Sequence, residues 1–224
     1  MPGYPEPVDI LVLPGVYAPQ EDTELLADAL ADEPLPRGAE VLDVGTGSGA
    51  LALQAARRGA RVTAVDVSWR AVCTARLNVW RTGLSVRIRH GNLFAPVRGQ
   101  SYDLILSNPP YVPTPVADPE PHGPARSWDA GNDGRLVLDR ICGEAPALLR
   151  PGGVLLVVHS ALSRPGRTVD RLRESGLKAA VSRRQRIAFG PVLRGRAPWL
   201  RERGLLSAAD EKEELVVVRA ERPV

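Results

Sequence analysis

The stretch of this sequence best suited to chemistry is Asn-Pro-Pro-Tyr at residues 108–111, directly after an apolar run that ends at Ser107. Two consecutive prolines cannot continue a central strand, because each lacks the N–H that the strand ladder requires. Proline also keeps the residue before it out of the helical region, so Asn108 is expected to be extended or in a turn. The motif therefore predicts a stiff corner that presents an amide side chain and an aromatic ring at the end of a strand.

Such a corner can hold a planar –NH2 group. The side-chain carbonyl of Asn108 and the free main-chain carbonyl of Pro109 are neighbouring acceptors, and together they can accept both hydrogens of that group. Tyr111 can stack on the plane of the group or wall it in. Fixing both N–H bonds would aim the nitrogen lone pair at an electrophile, which is catalysis by orientation. The competing interpretation is that these four residues form only a turn, and the first half of the chain favours the functional one.

A glycine-rich turn is the second candidate. Gly-Thr-Gly-Ser-Gly at 45–49 follows an apolar run at 39–44 and precedes an Ala/Leu-rich segment from Ala50 to Arg58. This order predicts a strand, a tight turn and a helix whose N-terminus offers unpaired N–H groups to a ligand. The turn lacks the Gly-Lys-Ser/Thr of a phosphate-binding loop and departs from Gly-x-Gly-x-x-Gly, which argues against a P-loop and disfavours a dinucleotide.

Polar side chains also follow the next two predicted strands. Asp66 stands at the tip of the second strand, where a carboxylate can accept both hydroxyls of a ribose. Its alternative role is to cap the next helix, although Ser68 suits that role better. Asn92 follows the third strand and could contact an adenine edge, with Leu93 packed on the ring. The alternative for Asn92 is an ordinary turn residue.

Strands and helices alternate along the chain, which predicts an α/β fold with a parallel sheet. The predicted strands cover residues 8–13, 39–44, 61–66, 86–90, 104–106, 154–158, 178–189 and 214–220. The predicted helices start near Pro19 and otherwise cover residues 50–58, 69–81, 135–149, 168–175 and 198–203. No full crossover helix separates the last two strands, so we expect an antiparallel strand beside the last parallel one.

The proline-rich segment after Tyr111, with prolines at 113, 115, 119, 121 and 124, is interpreted as a lid or substrate-facing loop. Trp128 then either anchors this loop or forms a wall of the substrate pocket. We divide the chain into an N-terminal cap segment with a helix at residues 1–38 and a main domain at residues 39–224.

Composition is ordinary for a globular domain, with 44% hydrophobic and 25% charged residues and a net charge of +3. Residues 160–203 carry eleven arginines and one lysine against three acidic residues, a balance of +9. Such a run is either a solvated face or a patch for an acidic partner such as RNA. The two cysteines have no metal-ligand spacing and no run approaches membrane-spanning length, so we expect a cytoplasmic protein with reduced thiols, no metal site and no membrane attachment.

Taken together and in order, the motifs resemble class I S-adenosylmethionine-dependent methyltransferases, and more narrowly the release-factor glutamine methyltransferase (HemK-like) family in its short branch without an added N-terminal domain. The segments that carry the resemblance are Pro-Gly-Val-Tyr-x-Pro-x-Glu-Asp-Thr at 14–23, Asp-Val-Gly-Thr-Gly-Ser-Gly at 43–49, Val-Asp-Val-Ser at 65–68, Gly-Asn-Leu-Phe at 91–94, Asn-Pro-Pro-Tyr at 108–111 and Glu-Glu-Leu-Val-Val-Val-Arg at 213–219. The resemblance implies a Rossmann-like fold with a seven-stranded, mostly parallel sheet, an antiparallel last strand and helices on both faces.

The resemblance also implies a site for S-adenosylmethionine. The residues that it assigns to cofactor binding are Thr23, Asp43, Gly45, Thr46, Gly47, Asp66, Asn92, Leu93 and Asn108. In this mapping Asp43 and the glycine turn hold the methionine portion, and Thr23 covers it. Asp66 binds the ribose, and Asn92 frames the adenine at a position where the family usually has Asp. Asn108 lies near the sulfonium and grips the substrate amide together with the Pro109 carbonyl.

The leading hypothesis is methyl transfer from S-adenosylmethionine, with S-adenosylhomocysteine as product, to a glutamine side-chain amide in a protein such as a release factor. Its catalytic residues are Asn108, Pro109, Pro110 and Tyr111. The alternatives are methylation of an adenine exocyclic amine in DNA or RNA, methylation of a small molecule or peptide, and a non-catalytic binding module. Relatives in eukaryotes and archaea use a small zinc-binding partner subunit, so an activator of this kind is a candidate partner, as is nucleic acid through residues 160–203.

Overall fold

Seven strands form one sheet in the computed structural model, which describes residues 9–115 and 123–224. The strands are β1 (Glu40–Val44), β2 (Arg61–Asp66), β3 (Val86–His90), β4 (Tyr102–Ser107), β5 (Leu149–Ser160), β6 (Lys178–Ala188) and β7 (Lys212–Glu221). Their order across the sheet is β3-β2-β1-β4-β5-β7-β6. β7 pairs antiparallel with β5 and β6, and the other neighbouring strands pair parallel. The predicted fold, mostly parallel with an antiparallel last strand, is confirmed.

Six α-helices accompany the sheet within the described residues. They are α1 (Glu21–Asp32), α2 (Ala50–Arg57), α3 (Trp69–Thr82), α4 (Leu138–Glu144), α5 (Pro165–Glu174) and α6 (Pro191–Glu202). The strand order runs outward from β1 to β3 and then returns to β4 on the other side of β1. Because parallel crossovers are right-handed, this reversal places α2 and α3 on one face and α4 and α5 on the other. None of these helices is long and apolar enough to cross a lipid bilayer.

The centre of the sheet is apolar because parallel strands in such folds are covered on both faces. Val41, Leu42, Ile105 and Leu106 are fully buried, which explains why β1 and β4 read as continuous hydrophobic runs. The parallel register pairs Val44 with Ser107, so the two strands end side by side. The Ser107 hydroxyl also donates a 2.9 Å hydrogen bond to the Val44 carbonyl. The segments that follow these two strands therefore leave the sheet at neighbouring points.

The strand predicted at residues 8–13 is wrong. Residues 9–13 form no strand, and Val8 lies outside the described residues. The main chain of Leu11 pairs instead with the buried side-chain amide of Asn78, which accepts from its N–H at 3.0 Å and donates to its carbonyl at 2.8 Å. An amide side chain offers N–H donors and a carbonyl acceptor, so it replaces a strand partner at this point.

The helix predicted at residues 135–149 is shorter than expected. α4 covers Leu138–Glu144 and is followed by a 3₁₀ turn at Ala145–Leu148 that contains Pro146. A proline inside an α-helix removes a hydrogen bond and clashes with the preceding turn, which accounts for the tighter geometry. Before α4, the buried Arg135 donates to the Ser163 and Arg164 carbonyls, and this contact ties the loop to the segment before α5.

The last helix is longer than the predicted segment 198–203. α6 begins at Pro191, a first helical position that proline fits well, and it accommodates Pro198 in its interior. Residues 116–122 lie outside the described residues, so most of the predicted lid loop is not described. Trp128, at its end, packs partly buried against the core and also lines the large cavity beside the sheet.

Candidate functional site

A cavity of about 820 Å³ lies at the edge of the sheet where β1, β2, β3 and β4 end. Its lining includes the segments that directly follow all four strands, namely residues 45–48, 66–68, 91–93 and 108–112. The strand order reverses between β1 and β4, and such a reversal opens a crevice at the carboxyl ends of parallel strands. All but one of the predicted site residues line this cavity, and Asp43 is the exception.

The corner after β4 is held from two sides. The Asn108 side-chain amide donates a 3.2 Å hydrogen bond to the Thr23 hydroxyl, which leaves its Oδ1 as an acceptor. The Tyr111 hydroxyl donates to Asp22 at 3.0 Å, and the Tyr111 carbonyl accepts from the Ser163 hydroxyl at 2.8 Å. Burial, and then the nearby Asp22 carboxylate, raises the pKa of Tyr111 well above its usual value, so the phenol stays neutral. The corner is a fixed wall of the cavity.

Asp22 is a site residue that the sequence motifs include in the segment 14–23 but do not single out. It is 3% exposed and its carboxylate accepts hydrogen bonds from the Tyr17 hydroxyl at 2.9 Å and from the main-chain N–H of Thr23 at 2.6 Å, besides the bond from Tyr111. The pKa of Tyr17 is also raised, first by burial and then by Asp22. One carboxylate thus joins the loop before α1, the first turn of α1 and the corner after β4.

The glycine turn after β1 packs between the next strand and the corner. Gly45 and Thr46 donate their N–H groups to the Val65 carbonyl at 2.9 and 3.0 Å. Gly45 has a φ of +75°, and a Cβ at this position would stand 3.9 Å from the main-chain carbonyl oxygen of Asn108. A positive φ is readily available to glycine, so the sequence permits a turn that L side chains would strain. The turn and the corner therefore line the same part of the cavity.

Asp66 at the tip of β2 is positioned by main-chain N–H groups. Its two oxygens accept from Gly47 at 2.9 Å and from Ser68 at 2.8 Å. Burial raises the pKa of Asp66, while the hydrogen bonds from Ser68 and Gly47 lower it. Ser68 is the N-cap of α3, as predicted, since its side chain accepts from Ala71. Asp66 lines the cavity, and each carboxylate oxygen keeps lone pairs for a diol.

Asp43 lies beneath the glycine turn, away from the cavity surface. It is 1% exposed, and its Oδ2 accepts a 2.6 Å hydrogen bond from the Thr46 hydroxyl. Its Oδ1 is buried and has no hydrogen-bond partner among the described residues. Burial raises the pKa of Asp43 to about 6, with the Thr46 hydrogen bond opposing the shift. The geometry makes Asp43 a support for Thr46, with one buried oxygen that the described residues leave unpaired.

Asn92 and Leu93 form the outer wall beyond Asp66. Leu93 has a φ of +48°, an uncommon conformation for a residue with a side chain, and such strain concentrates at functional sites. The Asn92 Oδ1 accepts a 3.0 Å hydrogen bond from Arg140, a cavity residue that the sequence analysis did not select. The amide nitrogen of Asn92 therefore stays available as a donor.

The C-terminal part of the chain builds another part of the cavity wall, which no sequence motif assigned to the site. Its lining there includes the end of β6, the start of α6 and the start of β7, with residues Ile187, Phe189, Leu193, Glu213 and Leu215. This part is mostly apolar. Asp66, Leu93, the glycine turn and Asn108 therefore face one cavity of a size that small-molecule ligands occupy.

Comparison with known proteins shows similarity along most of the chain. A family model described as "methyltransferase small domain" matches residues 7–118. A putative protein N5-glutamine methyltransferase of Methanocaldococcus jannaschii is 33% identical over 189 residues, which is 84% of this chain and 94% of that protein. A release factor glutamine methyltransferase of Deinococcus radiodurans is 42% identical over 193 residues, 83% of this chain and 66% of that protein. The chain thus spans just under two thirds of the length of this bacterial relative.

A solved structure of similar fold is the Mtq2–Trm112 complex of E. cuniculi, responsible for methylation of the translation termination factor eRF1. The match has a TM-score of 0.67 and 25% sequence identity, and it covers 93% of this chain and 99% of the matched chain. The likeness therefore extends to an almost complete chain of similar size.

Proposed function

The chain belongs to the methyltransferase small domain family, and we propose that it transfers a methyl group from S-adenosylmethionine to the side-chain amide nitrogen of a glutamine in a protein substrate. The family predicted from the sequence motifs is confirmed. The cofactor of this family is S-adenosylmethionine, and S-adenosylhomocysteine is the product. The observation that carries the proposal is the Asn108 corner. The side-chain nitrogen of Asn108 donates to the Thr23 hydroxyl, which leaves its side-chain carbonyl oxygen available to accept from a substrate.

A glutamine of a release factor is the substrate that best accounts for the corner together with the relatives. Both curated relatives have names that specify glutamine, and one specifies a release factor. A primary amide is planar and has two hydrogens on one nitrogen, which matches two adjacent acceptors. In this proposal the Asn108 Oδ1 accepts one hydrogen and the Pro109 carbonyl accepts the other. Pro110 stiffens the corner, and Tyr111, tied to Asp22, forms the wall against which the amide plane rests.

The remaining cavity residues hold the cofactor in this proposal. Gly45 and Gly47 let the methionine portion approach the main chain, and Thr23 covers it. Asp66 accepts the ribose hydroxyls, and Asn92 and Leu93 enclose the adenine. Asp43 acts from beneath through Thr46, whose hydroxyl it holds at 2.6 Å. Bound S-adenosylmethionine supplies an electrophilic methyl group close to Asn108.

Orientation and exclusion of water account for the rate. An amide nitrogen is a poor nucleophile because its lone pair is delocalised into the carbonyl, so positioning must supply much of the acceleration. Asn108 and Pro109 fix both N–H bonds, and the lone pair then points at the methyl group. The S–CH3 bond of the cofactor would break as the N–C bond forms, and S-adenosylhomocysteine would leave. The cationic nitrogen would then release one proton to solvent, so no base is required beforehand. Tyr111 and Val112 at the corner are each 9% exposed, which limits the access of water to the reacting atoms.

A nucleic-acid substrate receives less support from the arrangement of charge. Five arginines of the basic segment 160–203 form ion pairs with acidic residues outside it; these are Arg167, Arg171, Arg183, Arg184 and Arg196. Each pair neutralises charge that a phosphate backbone would otherwise use. Binding of nucleic acid through residues 160–203 remains a prediction from the sequence.

We also propose a candidate partner subunit and a cellular compartment for this reaction. The matched solved structure is a complex with a second subunit, so a small zinc-binding activator stays a candidate partner of this chain. Cys73 and Cys142 are both free thiols, in keeping with a reducing compartment. We place the activity in the cytoplasm, where release factors act on ribosomes.

The test is to supply the protein with S-adenosylmethionine carrying an isotopically labelled methyl group, together with either a purified release factor or matched DNA and RNA. We expect label on a glutamine side chain of the release factor, located by fragmentation mass spectrometry, and none on nucleic acid. Label on adenine amines with none on protein would establish the alternative function. Addition of a candidate activator subunit in a parallel reaction reports whether it raises the rate.

A further inference from the structure

A buried glutamate stands in the wall of the cavity at the start of β7. Glu213 is 8% exposed and lines the cavity together with Ile187 of β6, its partner in the antiparallel register, and Leu215 of β7. These neighbours are apolar, and acidic side chains are rarely buried among apolar ones without a partner. The burial of this carboxyl group therefore indicates a role for Glu213 beyond packing.

The hydrogen bonds of Glu213 are incomplete. The Ser160 side chain, at the end of β5, hydrogen-bonds the carboxyl group, and the Glu213 Oε1 is buried without a hydrogen-bond partner among the described residues. Burial first, and the Asp22 carboxylate as well, raise the pKa of Glu213 to about 7 against the opposing effect of the Ser160 hydrogen bond. A buried acceptor without a donor costs free energy, so a ligand that brings a donor is favoured at this point.

Within the described part of the chain, the two phenols that lie near Glu213 already donate to another carboxylate. The hydroxyls of Tyr17 and Tyr111 both donate to Asp22, although both phenols lie close enough to Glu213 for its charge to raise their pKa values. The Thr23 hydroxyl also donates to Asp22, at 3.2 Å. Among the described residues these donors are engaged elsewhere, so a molecule in the cavity can supply the donor that the Glu213 Oε1 lacks.

Building on the proposed function, we propose that Glu213 is a specificity-determining residue, and that its carboxyl group accepts a hydrogen bond from a main-chain N–H of the acceptor peptide beside the methylated glutamine. Two carboxyl groups, Asp22 and Glu213, border this end of the cavity, and they repel the phosphates of a nucleic acid while attracting N–H donors. Phe189 and Leu193 supply the apolar contacts that a peptide segment would cover.

The experiment compares Glu213→Leu and Glu213→Gln with the parent protein, using an intact release factor as acceptor. Leucine removes the acceptor oxygens, and glutamine keeps one. We expect Glu213→Leu to raise the KM for the release factor on the order of tenfold to a hundredfold, the range for a hydrogen bond to a charged group. The kcat should stay within about twofold, because the bond holds substrate and transition state alike. Glu213→Gln should lie between the two.

The matched control is Glu214→Gln, one residue along β7, whose carboxylate pairs with Arg184 at 2.7 Å away from the cavity. We expect the KM and kcat of this variant to equal those of the parent. Calorimetric binding of S-adenosylmethionine should be the same for all variants, which verifies that each is folded. Equal KM values for parent and Glu213→Leu, with the parent active on glutamine, would overturn the Glu213 assignment alone. If the parent labels no glutamine at all, the proposed function fails instead.

Discussion

The side-chain amide of Asn108 and the hydroxyl of Thr23 are joined by a 3.2 Å hydrogen bond between residues 85 positions apart in the chain. The bond connects the segment after β4 with the first turn of α1. Since Thr23 also bonds Asp22, and Asp22 bonds Tyr111, the contacts form a closed chain from the helix to both ends of the corner. The corner is thereby fixed before any ligand binds.

Asn108→Ala should bind S-adenosylmethionine nearly as well as the parent but turn over more slowly, on the order of a hundredfold in kcat. The substitution removes one of two acceptors that orient the amide and leaves the glycine turn intact. Stopped assays with labelled cofactor give kcat, and calorimetry gives the cofactor Kd. Gln185→Ala, which truncates an exposed amide on β6, serves as the control and should match the parent. Equal losses of binding and turnover would contradict the role assigned to Asn108.

Thr23→Val should lower kcat, while Thr23→Ser should retain most of it. Valine matches the shape of threonine without a hydroxyl, so the Asn108 amide loses the acceptor that fixes its orientation. Serine keeps that acceptor. We expect a drop on the order of tenfold for the valine variant, the usual effect of about 1.4 kcal/mol. Identical rates for the two variants would show that the hydroxyl does not position Asn108.

Asp66→Asn should weaken the binding of both S-adenosylmethionine and S-adenosylhomocysteine. The carboxylate accepts from the Gly47 and Ser68 N–H groups, and an asparagine side chain can accept at only one of its two ends. We expect the Kd of both ligands to rise on the order of tenfold or more, as measured by calorimetry. Asp170→Asn on the exposed face of α5 is the control and should leave both values unchanged.

Gly134→Ala should destabilise the fold and distort the corner. A Cβ at this position would overlap the main-chain carbonyl oxygen of Tyr111 and stand 2.6 Å from the Ser163 hydroxyl, and φ is +70°. Gly83→Ala isolates the backbone cost, because φ is +65° there and nothing lies within 4 Å of the added atom. Left-handed backbone costs about 1–2 kcal/mol for alanine. Urea unfolding should show a clearly larger loss at Gly134, and similar losses at both sites would refute the close contact.

Glu213→Gln should be more stable than the parent at pH 8 and equal to it near pH 4. The pKa of Glu213 is about 7 in the folded state against a usual value of 4.5, so between these values the folded protein holds a proton that the unfolded chain releases. Stability contributed by this group therefore falls as pH rises through this window. Asp22 is the charged neighbour that adds to the shift, and Ser160 opposes it.

The difference between Glu213→Gln and the parent should reach on the order of 3 kcal/mol at pH 8. Urea unfolding measured at intervals from pH 4 to pH 8 gives this difference directly. Asp43 also titrates with a raised pKa, but it is present in both proteins and cancels. A difference that does not change with pH would show that the pKa of Glu213 is the same in the folded and the unfolded protein, which would contradict the raised value.

Most of the sheet was predictable because its strands are marked by local signals. Apolar runs followed by Gly45, Asp66 and Asn92 indicate strands that end in turns, and parallel strands bring their carboxyl ends to one edge. The predicted strands at 61–66 and 86–90 match β2 and β3 to the residue. The strand predicted at 8–13 was wrong because the main chain of this segment pairs with the side chain of Asn78, and no local pattern in the sequence indicates that partner.

The partners of buried polar groups were decided only by the tertiary structure. The Asp22 carboxylate accepts a hydrogen bond from Tyr111, 89 positions away, and the Asn92 side chain accepts one from Arg140, 48 positions away. Glu213 lies just before the strand predicted at 214–220, and its burial in the cavity wall follows from the insertion of β7 between β5 and β6.

The sequence by itself determined the family, the order of the turns that follow the strands, and the Asn-Pro-Pro-Tyr corner. These features depend on short-range backbone constraints. Only the tertiary structure decided which side chains fix that corner, that Asp43 lies beneath the turn, and that Glu213 lines the cavity. The physical reason is that periodicity along a chain reports whether a side chain is buried, whereas a hydrogen bond between distant segments depends on where folding places both of its ends.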